Sequence, residues 1–174
     1  MKKRGWIILI GVLIVIKLLS LLKDNSDDDR QNSAQEQQLP QYTYLVNDCN
    51  IVESKNCTVY KHTGKYSTKI PMAGDEYGYG GFTFYDEGAF VTFELGGQYA
   101  ALSFNMAHDA ECSDEVGIVT AYGDGRKLLD EKVRGYEPPR QHTINVSGVN
   151  ELTFKIAATD IKAVIADAVL WETG

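Results

Sequence analysis

AFVTFELGGQYAALSFNMA, residues Ala89–Ala107, is the stretch on which the fold turns. Ala89, Val91, Phe93 and Leu95 alternate with Thr92 and Glu94; beyond Gly96-Gly97, Leu102, Phe104 and Met106 alternate with Ser103 and Asn105. A period of two marks strands with one buried face each. The Gly-Gly-Gln link offers the positive φ that a tight reversal needs, so the stretch predicts a β-hairpin.

The same grammar continues downstream. Val116, Ile118, Thr120 and Tyr122 alternate up to Gly123-Asp124-Gly125, a strong turn signal, and 127–133 returns as the partner strand. Ile144 and Val146 make a further strand, Gly148-Val149-Asn150 a turn, and Leu152, Phe154 and Ile156 the inner face of the next; 164–171 closes the sheet. Upstream, Ile70 and Met72 form a short strand. Gly74, Gly78, Gly80 and Gly81, interleaved with Tyr77 and Tyr79, form a loop before a strand at 82–85. Many short strands, with turns every 8–12 residues, predict an all-β sandwich.

The N-terminus has another character. WIILIGVLIVIKLLSLL, residues 6–22, follows Lys2-Lys3-Arg4 and holds thirteen aliphatic side chains. These contribute roughly −4 to −8 kcal/mol to insertion, against about +3 for Lys17 near mid-span. The expectation is a single uncleaved transmembrane helix within a 1–23 anchor. The basic cluster would stay cytoplasmic and the remainder would be extracytoplasmic at the plasma membrane. Residues 24–40, DNSDDDRQNSAQEQQLP, have too little apolar surface to order themselves and read as an acidic linker to a 41–174 domain.

Charge narrows the partners. Residues 1–23 carry five basic and no acidic side chains, so the remainder holds 12 basic and 24 acidic ones, a balance of −12. That body repels nucleic acid.

Cys49 and Cys57 stand eight apart, and on the outer side of a membrane such a pair is expected to form a disulfide, leaving Cys112 over. No zinc-type spacing occurs. HDAECSDE, residues 108–115, gathers acidic groups; a structural calcium ion on Asp109, Glu111, Asp114 and Glu115 competes with a plain solvated loop, which lacks the EF-hand pattern. No other cofactor or metal is expected. His62, His108 and His142 lie in separate segments without a nucleophile or metal motif, so the sequence nominates no catalytic residue.

Several of these features together resemble one family. The LGG-Y turn at Leu95–Tyr99, the DG turn at Asp124-Gly125 and the A-D pair at Ala166-Asp167 are similar to marks of the NPCBM domain. That domain is a carbohydrate-binding module appended to many bacterial glycoside hydrolases. The resemblance covers roughly 66–172 and implies a galactose-binding-like jelly roll with a sugar-facing loop end.

On that reading the ligand residues come from loop position and chemistry. Tyr77, Tyr79 and Tyr136 offer ring faces for a sugar's C–H patch, although tyrosines on such loops serve equally as edge-of-core residues. Asp75, Glu76, His108, Asp109, Arg134 and Arg140 are candidates for hydroxyl hydrogen bonds. The competing expectation is an envelope protein-interaction module with an exposed apolar sheet face, using outward positions such as Val119 and Ala121.

Overall fold

A computed structural model of the chain describes residues 41–62, 69–77, 80–109, 116–157 and 162–172. Thirteen strands and one four-residue helix run in the order β1 (Tyr42–Tyr44), α1 (Leu45–Asp48), β2 (Asn50–Lys55), β3 (Cys57–Tyr60), β4 (Ile70–Met72), β5 (Asp75–Tyr77), β6 (Gly81–Phe84) and β7 (Phe90–Glu94). They continue as β8 (Tyr99–His108), β9 (Val116–Gly123), β10 (Arg126–Arg134), β11 (Arg140–Asn145), β12 (Glu151–Ala157) and β13 (Ala163–Glu172). One sheet has the order β11-β8-β13-β6-β3, with β1 also on β13; the other has the order β10-β9-β12-β7-β2. Every pairing in them is antiparallel. The all-β sandwich expected from the strand pattern is the architecture observed.

Phenylalanines join the layers. Phe82 of the six-stranded sheet lies 5.6 Å from Phe93 and 5.3 Å from Phe154 of the other, and Phe104 lies 5.4 Å from Phe154, centroid to centroid. All four are buried to within 1 %. Such tilted and edge-on pairs add about 0.5–1.5 kcal/mol each beyond their burial.

This packing corrects the reading of 89–107. The strands β7 and β8 are where the alternation places them, and Gly96 and Gly97 have φ of +62° and +70°. Yet β7 and β8 belong to different sheets, so the link is an arch across the sandwich and not a hairpin. A second arch, between β11 and β12, pairs with it: the Gly96 N–H donates to the Asn150 carbonyl at 3.2 Å and the Gly97 N–H to the Val149 carbonyl at 2.9 Å. The 123–126 turn is a true hairpin, with Asp124 and Gly125 at φ +48° and +78°. The Asp124 carboxylate accepts the Glu151 N–H at 2.9 Å, which ties the hairpin to the same end.

Other expectations also change. Val119 and Ala121 face the core, fully buried, while Val116 and Ile118 are the exposed pair, so the outward and inward faces of β9 are exchanged. The final strand β13 is central rather than closing, flanked by β8 on one side and by β6 and β1 on the other. Residues 75–77 are a strand pairing with β4. This ribbon covers one end of the outer face of the six-stranded sheet, where Ile70 and Met72 pack with Ala107, Val164 and Ala166.

The disulfide is absent: Cys49 and Cys57 are both free. The extended strand β2 lies between them, and six residues span about 20 Å, against the roughly 4.4–6.8 Å between α-carbons that a bridge requires. Cys112, with Glu111, Asp114 and Glu115 of the weighed calcium loop, lies outside the described residues. The expected localisation is also corrected: among the described residues no helix is long and apolar enough to cross a membrane. Residues 6–22, on which the single-pass plasma-membrane placement with an extracytoplasmic domain rests, lie outside them.

Two outcomes follow from this packing. A Cβ on Gly81 would sit 2.1 Å from the Ile165 carbonyl oxygen and 2.8 Å from the Ala166 Cα, both backbone atoms of the neighbouring strand. Gly81→Ala should therefore lower the urea unfolding free energy by about 3 kcal/mol, the upper end of overpacking costs; an unchanged midpoint would refute the contact. Burial pushes the Cys49 thiol up to about 11 and the Cys57 thiol up to about 12. Maleimide at pH 8 should leave both unmodified in the folded chain and modify both in urea, as read by peptide mass spectrometry. A Cys49–Cys57 linked peptide would contradict the structure.

Candidate functional site

The end of the sandwich opposite the paired arches is built from the last residue of β8, the β4–β5 turn and the β10–β11 loop. Ala73, Gly74, His108, Gly135, Tyr136, Glu137 and Pro138 line an open concavity of 430 Å³ there. That volume lies within the range of about 300–1,000 Å³ usual for small-ligand sites.

Each wall has a local cause. The β4–β5 turn is tight, with Ala73 and Gly74 at φ +48° and +82°, and the Ala73 N–H donates to the His108 carbonyl at 3.0 Å. His108 is buried at 7 % exposure. Its Nδ1 is hydrogen-bonded to the Asp109 carbonyl, which places a proton on Nδ1 in that contact and leaves Nε2 as the ring nitrogen available to another partner. Asp109 is held in turn: its N–H donates to the Lys162 carbonyl at 3.0 Å, and its carboxylate pairs with the Lys162 ammonium at 3.5 Å.

The β10–β11 loop is set by a charge cluster. Arg134 Nη1 donates to Glu137 Oε1 at 2.8 Å, and Arg140 Nη2 lies 3.5 Å from Glu137 Oε2 while donating to the Lys132 carbonyl at 2.5 Å. The hydrogen bond that Arg134 donates to Glu137, with that carboxylate's charge, holds the Arg134 guanidinium above its usual range. Among the described residues Glu137 Oε2 is buried without a hydrogen-bond donor, so the Arg140 charge is its compensation. With Glu137 pulled inward and Pro138-Pro139 stiffening the chain, the intervening Tyr136 is thrust outward, 69 % exposed.

The structure thus brings together His108, Tyr136 and, along the adjoining wall, Arg134 and Arg140. Of the other candidates, those among the described residues stand elsewhere. Tyr77 packs against the small core beneath the β4–β5 ribbon, and so takes the edge-of-core role left open for it. Glu76 is ion-paired with Lys69. Asp75 follows Gly74 in the ribbon, opposite Met72, and does not line the concavity. Tyr79 lies outside the described residues. Sequence reasoning missed Glu137 and the Ala73-Gly74 turn. The signal for Glu137 was the three-residue spacing Arg134, Glu137, Arg140, which matches the contacts made. Among the described residues no group of three His, Cys, Asp or Glu side chains is placed to hold a metal ion.

His142, beside this wall on β11, stacks on Phe104 at 5.5 Å with an interplanar angle of 22°. Its Nε2 is buried without a hydrogen-bond partner among the described residues. Burial lowers its pKa below 6.5, with Glu131 opposing that shift and Arg140 adding to it. A folded pKa below the unfolded one means that the unfolded chain takes up the proton first, so stability falls as pH drops through 6.5. Between pH 7.5 and pH 5.0 the wild-type chain should lose more unfolding free energy than His142→Phe, which keeps the stack; equal losses would refute this.

No family model matches the sequence, and no curated protein matches it. Solved structures do. The second CBM51 module with INT domains of Clostridium perfringens ZmpB, solved in complex with GlcNAc, aligns at TM-score 0.62 and 16 % identity, over 76 % of this chain and 32 % of that one. The CBM51 module of Clostridium perfringens GH95, solved in complex with methyl-galactose, aligns at 0.60 and 16 %, over 75 % of this chain and 99 % of that one. The tandem CBM51 modules of the family 98 glycoside hydrolase of Streptococcus pneumoniae SP3-BS71 align at 0.62 and 11 %, over 87 % and 52 %. This chain therefore spans about a third of the ZmpB structure and nearly all of the GH95 module. At these identities the likeness is one of fold: a two-layered β-sandwich like that of the CBM51 modules.

Proposed function

We propose that the 41–174 domain is a non-catalytic carbohydrate-binding module whose ligand seats at the concavity beside His108. The observation that carries this reading is Tyr136: a large ring, 69 % exposed, held out by a braced loop at the mouth of a 430 Å³ concavity that His108 also lines. A protein does not leave such a ring in water without cost, and a sugar's C–H face is the surface it complements. Bracing before binding limits the entropy lost on association.

His108 Nε2 accepts from a sugar hydroxyl, and Arg134 and Arg140 keep the loop in place. The fold shared with CBM51 modules, two of them solved with methyl-galactose or GlcNAc, supports the class of ligand without choosing among sugars. The resemblance to the NPCBM family supports the same class.

The test is calorimetric titration of the full chain with methyl-galactose and GlcNAc, together with retention on an immobilised glycan panel. Tyr136→Ala should weaken binding of whichever sugar is held by at least about tenfold, or ~1.4 kcal/mol, with an unchanged unfolding midpoint. Absence of retention on every glycan, or full affinity in Tyr136→Ala, would overturn the assignment.

A further inference from the structure

The β4–β5 ribbon covers only one end of the outer face of the six-stranded sheet, and the register shows what the other end presents. Tyr42 pairs with Trp171, Trp171 with Ala101, and Ala101 with Asn145, which makes one continuous row across β1, β13, β8 and β11. Tyr44, Val169, Ser103 and Thr143 make the next. Residues in register share a face, and Leu102, Phe104, Ile144 and Leu170, alternating with these, are buried in the core. Both rows therefore point away from the second sheet. Four strands put about 14 Å between the ends of a row.

The chemistry along the rows is ordered. One end is aromatic: Tyr42, 55 % exposed, meets the Trp171 ring at 6.0 Å and the Tyr44 ring at 5.8 Å. The middle is low, with Ala101 and Ser103. The far end is hydroxyl and amide, where Ser103 and Thr143 share a hydrogen bond at 2.9 Å beside the exposed Asn145. Neither row contains a Lys, Arg, Asp or Glu, in a chain with 24 % charged residues. These two rows, with rings at one end, hydroxyls at the other and no charge of their own, are bordered by His62 against the Tyr44 ring and by the Asp167 carboxylate on Asn105. They do not match nucleic acid, an acidic polysaccharide or a charged protein surface. They match an uncharged polyhydroxylated chain, whose C–H faces stack on rings and whose hydroxyls bond to hydroxyls and amides. The ring planes diverge by 57° and 79°, so the face does not suit a flat crystalline surface and fits a single chain.

We propose that the outer face of the six-stranded sheet, from Tyr42 and Trp171 across to Thr143 and Asn145, is a second binding surface, for a neutral glycan chain. It is separate from the rim: Ser103 and His108 are five residues apart on β8, about 17 Å. The surface goes beyond the rim reading and does not depend on it.

The test is affinity electrophoresis of the full chain in gels cast with soluble neutral polysaccharides, a mixed-linkage β-glucan, a galactomannan and a xyloglucan, with polygalacturonate as the acidic comparison. Thr143→Lys, a substitution at an exposed strand position, places a charge on the face; Tyr42→Ala removes the exposed ring. Retardation by at least one neutral polymer, reduced fivefold or more by each variant and preserved in Tyr136→Ala, is the expected result. Quenching of tryptophan fluorescence by that polymer, lost in Trp171→Phe, assigns the contact to this face. Retardation that survives both face variants, or occurs only with polygalacturonate, or fails with every polymer, would overturn the proposal. So would a dimer in sedimentation that Thr143→Lys dissociates, since the face would then be an interface between copies. Loss of retardation in Tyr136→Ala alone would instead support the rim and remove the face.

Discussion

Four phenylalanine rings in edge and tilted contact between two sheets are the constraint from which the rest of the molecule follows. Phe82 and Phe104 come from one layer, Phe93 and Phe154 from the other, with each ring in the contact 5.3–5.6 Å from a ring across the gap. Because Phe93 packs on Phe82 from one layer and Phe104 on Phe154 from the other, the chain between Phe93 and Phe104 cannot fold back within one sheet. It arches over the end of the sandwich, and the positive φ of Gly96 and Gly97 serves the arch. The second arch and the Asp124-Gly125 hairpin are hydrogen-bonded to the first, so that end is occupied by backbone. The opposite end is left to longer loops, and there the concavity forms.

That division explains which features were legible in the sequence. Period-two alternation reports that a strand has one buried face, and the strands at 89–107, 116–133 and 151–156 stand where it put them. It does not report which sheet a strand joins, so the arch was readable only as a hairpin. Nor did it resolve β9: Val116, Ile118, Val119 and Ala121 are all apolar, and either set could face inward. The core took the set with the smaller Ala121. The disulfide expectation failed for a similar reason, since sequence separation is a poor guide to distance when the intervening residues are an extended strand.

The site was legible in part. Tyr136, His108, Arg134 and Arg140 were nominated from loop position and chemistry, and the fold places the first two around the concavity and the two arginines on the adjoining wall. Tyr77 stayed open between two roles because a glycine-rich context looks the same whether a tyrosine faces solvent or a small satellite core. The LGG, DG and A-D marks of the family resemblance fall on backbone specialities: Gly96, Gly97, Asp124, Gly125 and Asp167 all have positive φ. The first two marks lie at the arch end, away from the concavity. They speak to how the chain turns and carry nothing about what it holds, which is why ligand residues had to be argued separately.

The central claim is that the working rim is the end bearing Tyr136, while the glycine-marked end is structural. Chemical-shift mapping of the isotopically labelled full chain against a glycan that it retains tests this most directly. The account predicts perturbations gathered at Ala73-Gly74, His108 and 135–138. Perturbations gathered instead at Gly96-Gly97, Asp124 and Gly148 would contradict it.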